Sequence, residues 1–232
     1  MEVKRKIELD NKCYKASEKY WDRIPPTING MLGGFGFLSG QEIDGSSKFL
    51  SSLFKLENPP SRQHALDCGA GIGRVTKKLL IKYFENVDLL EQNPKFIESA
   101  KTYLRNNISR IGFHCSALQN FHPTPQKYDV IWCQWVLGYI NDEHLVGFLK
   151  NCVSGLKKEG VLVVKENVTR SDVLEFDKTD SSITRPYKDL VGIFDKAGLI
   201  CIQRKLQKHM PLGLYPVYMF ALKPKNESVQ TE

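Results

Sequence analysis

"LDCGAGIGR", residues 66–74, decides how this 232-residue chain is read. An apolar run, "HALDC" (64–68), leads into glycines at 69, 71 and 73, and a helix-like stretch, "GRVTKKLLIKYF" (73–84), leads out. A strand feeding a helix through such a turn lets backbone N–H groups approach a ligand closely, because no Cβ stands in the way. Asp67 precedes the turn and Arg74 follows it. Glu91 closes the next apolar run, "VDLLE" (87–91). In an open parallel sheet that position lies beside the glycine turn, where a carboxylate accepts hydrogen bonds from both hydroxyls of a ribose.

The charges around the turn narrow the ligand. A dinucleotide loop reads G-x-G-x-x-G, whereas here the third glycine comes one residue early. Asp67 would repel a pyrophosphate but suits a cation. S-adenosylmethionine carries a positive sulfonium, an ammonium and one carboxylate, and that carboxylate can meet Arg74. "ALQNF" (117–121) follows the third strand, where this kind of sheet faces the adenine, so Leu118 and Gln119 are candidate contacts.

Outward from the turn, strands and helices alternate. Strands are expected at 64–68, 87–91, 112–116, 128–134 and 160–167, and helices at 73–84, 94–104, 142–156 and 187–199. Asn141 caps the third of these helices, and Gly198 stops the fourth. "LICIQRK" and "PVYMFALK" add two strands as a hairpin-like pair at one edge. The expectation is an α/β, Rossmann-like, mostly parallel seven-stranded sheet with helices on both faces. Ahead of it stand a helix over 11–22, a Pro/Gly-rich loop, "IPPTINGMLGGFG" (24–36), and a second helix over about 46–56.

Composition excludes several classes. No apolar run is long enough to span a membrane, and "MEVKRKIELD" (1–10) lacks the apolar core of a secretory signal. The six cysteines show no C-x-x-C pair, so reduced thiols in a cytoplasmic protein are expected, with no metal site. The net charge of +7 is spread along the chain, with no dense basic run beyond Lys4-Arg5-Lys6, so no direct nucleic-acid partner is expected.

"IPPTINGMLGGFG", "LDCGAGIGR", "VIWCQWVLGY", "VVKEN", "DSSITR" and "LYPVYMFAL" together resemble the alpha-N-terminal protein methyltransferases, over about residues 12–223. The resemblance implies a class I S-adenosylmethionine-dependent methyltransferase fold. It implies methylation of the α-amino group of protein N-termini beginning Xaa-Pro-Lys or Xaa-Pro-Arg, up to three times, with S-adenosylhomocysteine as the product. Residues 1–60 would form a helical extension and substrate-covering loop, 61–224 the methyltransferase domain, and 225–232 a frayed tail. Cofactor contacts are implied at Gly69, Arg74, Glu91, Leu118, Gln119 and Gln134. A peptide channel is implied at Trp21, Gly33, Trp135, Asn167, Asp177, Asp180, Ser181 or Ser182, and Tyr215, with Asp180 and Asn167 handling the amine. Relatives commonly carry His where this chain has Tyr139, so a proton-handling part there falls to Asp180 or to water. The resemblance also implies nuclear residence beside the cytoplasmic one.

The residues agree chemically. Asp177 and Asp180 can meet the third-position cation, with serine hydroxyls completing the hydrogen bonds. Strand alternation sends Trp132 and Gln134 to one face and Cys133 and Trp135 to the other. Trp135 then walls an apolar slot for the proline ring, which strands no N–H donor there. Two other readings stay open at this level: a methyltransferase of small amines or nucleic acid, and a catalytically silent peptide-binding module.

Overall fold

The computed structural model describes residues 9–225. The Lys4-Arg5-Lys6 run, most of the charged start and the tail beyond Lys225 lie outside the described residues. Seven strands form one sheet: β1 (His64–Cys68), β2 (Asn86–Glu91), β3 (Ile111–Cys115), β4 (Tyr128–Gln134), β5 (Leu156–Asn167), β8 (Leu199–Leu206) and β9 (Val217–Pro224). Their order is β3-β2-β1-β4-β5-β9-β8. β9 runs antiparallel to both its neighbours, and the other pairs are parallel. The terminal pair does sit at one edge, with the last strand inside and β8 outermost.

The chain leaves β1 toward β2 and β3, then returns to place β4 on β1's other side. That reversal splays the connections apart and opens a crevice at the carboxyl ends of the strands. Glycines 69–73 leave β1 there, and Trp135 leaves β4 there.

Two apolar layers flank the sheet. On one face Phe148, Leu149, Leu190, Ile193 and Phe194, from α6 (Asp142–Gly155) and α7 (Tyr187–Lys196), pack on Ile131, Leu162 and Phe220. On the other, Ile43, Phe49, Leu50 and Leu53 of α3 (Ser39–Leu53) pack on Val130, Trp132, Val163 and Met219. Trp132 is wholly buried core. α3 starts seven residues before the expected 46. Gly40 and Gly45 weaken its local helix signal, but tertiary burial of one face outweighs propensity.

Two further expectations are corrected. α4 (Arg74–Lys78) ends before Leu79, whose φ of −123° and ψ of −73° leave helical geometry, and a separate 3-10 turn follows over Leu80–Lys82. β5 begins at Leu156, four residues before 160, although only its pairing from Val161 onward is continuous with β4. The acidic stretch that carries Asp177 and Asp180 forms a small hairpin, β6 (Glu175–Asp177) paired with β7 (Ser182–Thr184). Among the described residues no helix is long and apolar enough to cross a membrane.

The N-terminal α1 (Asn11–Arg23) begins at Asp10, whose carboxylate accepts from Lys12 N and Cys13 N, both at 2.9 Å. It lies across the crevice and is fastened at both ends. Tyr14 Oη bonds His144 Nδ1 at 2.8 Å and accepts from Asn141 N at 3.1 Å. Asn93 Nδ2 donates to Asp22 Oδ1 at 2.8 Å.

Candidate active site

The glycine turn is shaped for close approach. Gly69 and Gly71 have φ of +65° and +55°, which an L side chain adopts only at a cost. A Cβ on Gly69 would fall 2.2 Å from Val136 Cγ2, and one on Gly71 would fall 2.5 Å from Met31 Sδ. Glu91 fixes the turn from β2: Oε2 accepts from Gly71 N and Oε1 from Asn93 N, both at 2.9 Å. Burial pushes the Glu91 carboxyl above its ordinary pKa.

Asp67 does more than the charge pattern alone suggests. Its Oδ2 accepts from Thr76 N at 2.9 Å and Thr76 Oγ1 at 2.7 Å, which satisfies the start of α4. Burial raises its pKa to about 6 against those hydrogen bonds.

Gly69, Arg74, Glu91, Leu118, Gln119 and Gln134 all line one cleft, together with Trp21. α1 adds Ser17 to the same wall, and Met31 comes from a short helix, α2 (Ile28–Met31), inside the stretch expected to be a loop. Ser17 Oγ is buried and has no hydrogen-bond partner among the described residues. That orphaned hydroxyl, the glycine cradle and the Glu91 carboxylate fit an adenosine-bearing ligand of mixed charge. Gly69→Ala should weaken S-adenosylhomocysteine binding about tenfold, since its Cβ would displace Val136, which lines the cleft, and the left-handed backbone costs a non-glycine residue about 1–2 kcal/mol so that the turn shifts. Calorimetric titration of the variant reads that loss.

Arg74 does not wait alone for a carboxylate. It is paired with Glu42 of α3, a residue the sequence reading passed over. Glu42 also accepts from Gln134 Nε2 at 2.8 Å and from Lys165 Nζ at 2.7 Å. Lys165 further donates to Glu42 O at 2.9 Å and Ser46 Oγ at 2.8 Å. Glu42 and Lys165 both have 0% side-chain exposure. Burial drives Lys165 down to about 8, although Glu42 opposes the shift. Glu42 stays below its ordinary value because Lys165 and Arg74 outweigh its own desolvation. The available signal was Glu42, Ser46, Phe49, Leu50 and Leu53 at helical spacing, hidden by placing the helix start at 46.

Trp135 corrects the alternation argument. Trp132 Nε1 donates to Gln134 Oε1 at 3.1 Å, so those two do share a face. Trp135, with φ of +53°, leaves the strand geometry and does not alternate. Its ring lies 5.9 Å from the Arg74 guanidinium and 5.4 Å from Lys165 Nζ, on the Gln134 side. Its Nε1 donates to Asn167 Oδ1 at 3.1 Å.

A second cavity, about 450 Å³, takes in Trp135, Asn167, Asp177, Asp180, Ser182 and Tyr215. Ser182, not the buried Ser181, faces it. Gly33 borders neither cavity; it is exposed in the loop after Met31, with open space around it. The acids are ordered by their own turn: Asp177 Oδ1 accepts from Thr179 N at 2.7 Å and Asp180 Oδ1 from Ser182 N at 3.0 Å. Tyr139 Oη donates to Asp180 Oδ2 at 2.6 Å. Burial, reinforced by Asp180, pushes the Tyr139 hydroxyl well above its ordinary pKa, so it is a donor at neutral pH. Trp21 meets the Tyr139 ring edge-on at 5.7 Å. Trp135 and Tyr139 line both cavities, so the acid-lined chamber adjoins the cleft.

The sequence reading also missed Glu166. It lines the second cavity, and its Oε1 accepts from Val136 N at 2.7 Å and Leu137 N at 2.8 Å. Burial raises its carboxyl to about 7 despite those bonds.

With this geometry in place, similarity to known proteins becomes informative. A Xenopus tropicalis protein named N-terminal Xaa-Pro-Lys N-methyltransferase 1 is 43% identical over 94% of this chain and 98% of its own length. The Danio rerio protein of the same name is 44% identical, with the same coverage of each chain. A solved SAM-dependent methyltransferase from Leishmania major superposes with a TM-score of 0.86 at 35% identity, covering 91% of this chain and 83% of that one. The sheet order and glycine turn are thus those of the class I S-adenosylmethionine-dependent methyltransferase fold. Residues 10–223 match the model of the family described as AdoMet dependent proline di-methyltransferase, and the chain belongs to that family.

Proposed function

We propose that the chain methylates the α-amino group of protein N-termini that begin Xaa-Pro-Lys or Xaa-Pro-Arg, with S-adenosylmethionine as donor and S-adenosylhomocysteine as product. The observation that carries this reading is the junction of the two cavities at Trp135 and Tyr139. It puts an acid-lined chamber beside the cleft that would hold the donor. Two of the curated relatives carry the Xaa-Pro-Lys specificity in their names.

S-adenosylmethionine supplies an electrophilic methyl group on its sulfonium. The side chains of this protein do the rest. Gly69, Gly71 and Glu91 hold the adenosine end, Leu118 and Gln119 border the base, and Arg74 and Gln134 face the amino-acid end. Trp135 walls the proline slot. Asp177 is exposed and attracts the third-position cation, with Glu175 and Tyr215 beside it. Asp180, half-buried and oriented by Tyr139, takes the proton from the ammonium, and Asn167 steadies the amine and the first carbonyl. An α-amino pKa of about 7.7–8.0 already leaves a neutral fraction near pH 7, so alignment of nitrogen, methyl and sulfur carries much of the rate. The product of each transfer is an ammonium that regains a lone pair when it loses a proton, until three methyl groups are attached, so repeated transfer is chemically open where the pocket has room.

Mass spectrometry of Xaa-Pro-Lys peptides after incubation with the donor tests this reading. Methyl groups are expected on the α-nitrogen alone and absent from N-acetylated peptides. Transfer to the acetylated forms, or to RNA and not to peptide, would overturn it.

A further inference from the structure

The turn over 135–140 holds both aromatic residues that border the two cavities, yet it belongs to neither a long helix nor a strand. Trp135 N still donates to Lys165 O of β5 at 3.0 Å, and beyond it the left-handed backbone carries the chain out of the sheet ladder. Buried backbone groups need partners elsewhere, and here two buried charged side chains serve them. Glu166 accepts the N–H groups of Val136 and Leu137. Arg185, only 2% exposed, donates Nη1 to Leu137 O at 2.7 Å and Nη2 to Ile140 O at 2.6 Å. Its Nε reaches Asp142 Oδ1 at 2.9 Å. An anion thus takes the donors of the turn and a cation takes its acceptors.

These two residues also connect the turn to the acidic hairpin. Arg185 follows β7 directly, and its backbone bridges to Val168 just beyond β5, with Thr169 N donating to Arg185 O at 3.1 Å. Glu166 is the penultimate residue of β5. From the other side, Tyr139 of the turn bonds Asp180 of the hairpin. Gly138 presses against the hairpin too: a Cβ there would lie 2.8 Å from Ile183 O. The contacts close a ring running from β5 through Glu166 to the turn, through Tyr139 to Asp180, and through Arg185 back to the turn.

Leu137 and Ile140 of the turn also pack into the apolar core. Buried ionisable groups are costly unless their geometry is well met, and here the Glu166 carboxyl and both Nη groups of Arg185 bond the backbone of one turn. We propose that Glu166 and Arg185 are positioning residues for methyl transfer, holding the 135–140 turn so that Trp135 and Tyr139 keep the amine aligned between Asp180 and the donor cleft. This inference rests on the N-terminal methyltransferase reading above.

The test compares Glu166→Ala, Glu166→Gln and Arg185→Lys with the wild-type chain. The readouts are turnover of an Xaa-Pro-Lys peptide and S-adenosylhomocysteine affinity by calorimetry. Glu166→Ala and Arg185→Lys should each lower kcat about tenfold with cofactor affinity within about threefold. Glu166→Gln should recover most of the lost turnover, because its amide oxygen still accepts from both N–H groups. A role in general folding alone would lower turnover and cofactor affinity together and would show no such recovery. Unchanged kcat in Arg185→Lys, or parallel loss of both readouts, overturns the inference. If Glu166→Ala does not fold, the Arg185→Lys and Glu166→Gln pair decides the question on the same criteria. A wild-type chain that leaves the peptide unmodified instead removes the methyltransferase reading itself.

Discussion

Asp180→Asn should lower turnover of an Xaa-Pro-Lys peptide about 100-fold, within the range that a positioned acid–base group supplies, while S-adenosylhomocysteine affinity stays within about threefold. The separation follows from where the residue sits. Asp180 lines the peptide cavity and is absent from the walls of the donor cleft. Both its oxygens are already committed, one to Ser182 N and one to Tyr139 Oη, so its orientation is set before any peptide enters. Asparagine keeps the size but offers one donor where two donors now converge. It also removes the negative charge that, on the proposed reading, meets the substrate ammonium. Steady-state kinetics with a Pro-Lys peptide and calorimetry with the product measure the two quantities. A joint fall in both would mean that Asp180 supports the hairpin and not the chemistry. Tyr139 belongs to the same experiment in physical terms: as a donor at neutral pH it can aim Asp180 but cannot replace it as a base.

Glu42→Ala should cost the fold about 3–5 kcal/mol, the usual penalty for removing one partner of a buried ion pair. Arg74 would keep its charge with no counter-ion in contact, Lys165 would lose the partner that opposes the downward shift of its pKa, and Gln134 would lose its acceptor. Two cleft residues would lose their anchor at once, so cofactor affinity should fall with stability. Chemical denaturation at neutral pH reads the first effect and calorimetry the second. The double variant Glu42→Leu/Lys165→Met replaces the pair with apolar side chains and should recover much of the stability. If the double variant were as unstable as Glu42→Ala, packing of α3 and not the ion pair would be the cause. The pH dependence has a definite sign. Burial pulls Lys165 to about 8, below its ordinary value of 10.5. The unfolded chain therefore binds more protons at this lysine than the folded one. Its contribution to stability consequently rises with pH between about 8 and 10.5 and is unfavourable below that window.

Much of the donor cleft was legible in the linear sequence, and the reason is local. Gly69, Gly71 and Gly73 announce a turn that only glycine adopts easily, and the apolar runs around them have strand and helix periods. Once alternation fixes a parallel sheet, the ends of β1, β2 and β4 must face one crevice. Glu91 at the end of β2, and Leu118 and Gln119 just past β3, are then placed by counting, whereas Gln134 was implied by the family resemblance. Asp177 and Asp180 stood out because their charge contradicts the basic average of the chain.

What the sequence determined by itself was therefore the repeating strand–helix order, the glycine turn and the chemical types gathered at the carboxyl edge, because each is encoded within a few consecutive residues. What only the tertiary structure decided was which distant charges meet. Glu42 reaches Lys165 across 123 positions, Tyr139 reaches Asp180 across 41, and Arg185 reaches Leu137 across 48. No period in the chain records such pairings. They follow from the packing of α3 on one face of the sheet and of the acidic hairpin over its edge, where a buried ionic or backbone group must find whichever partner the fold has brought within reach.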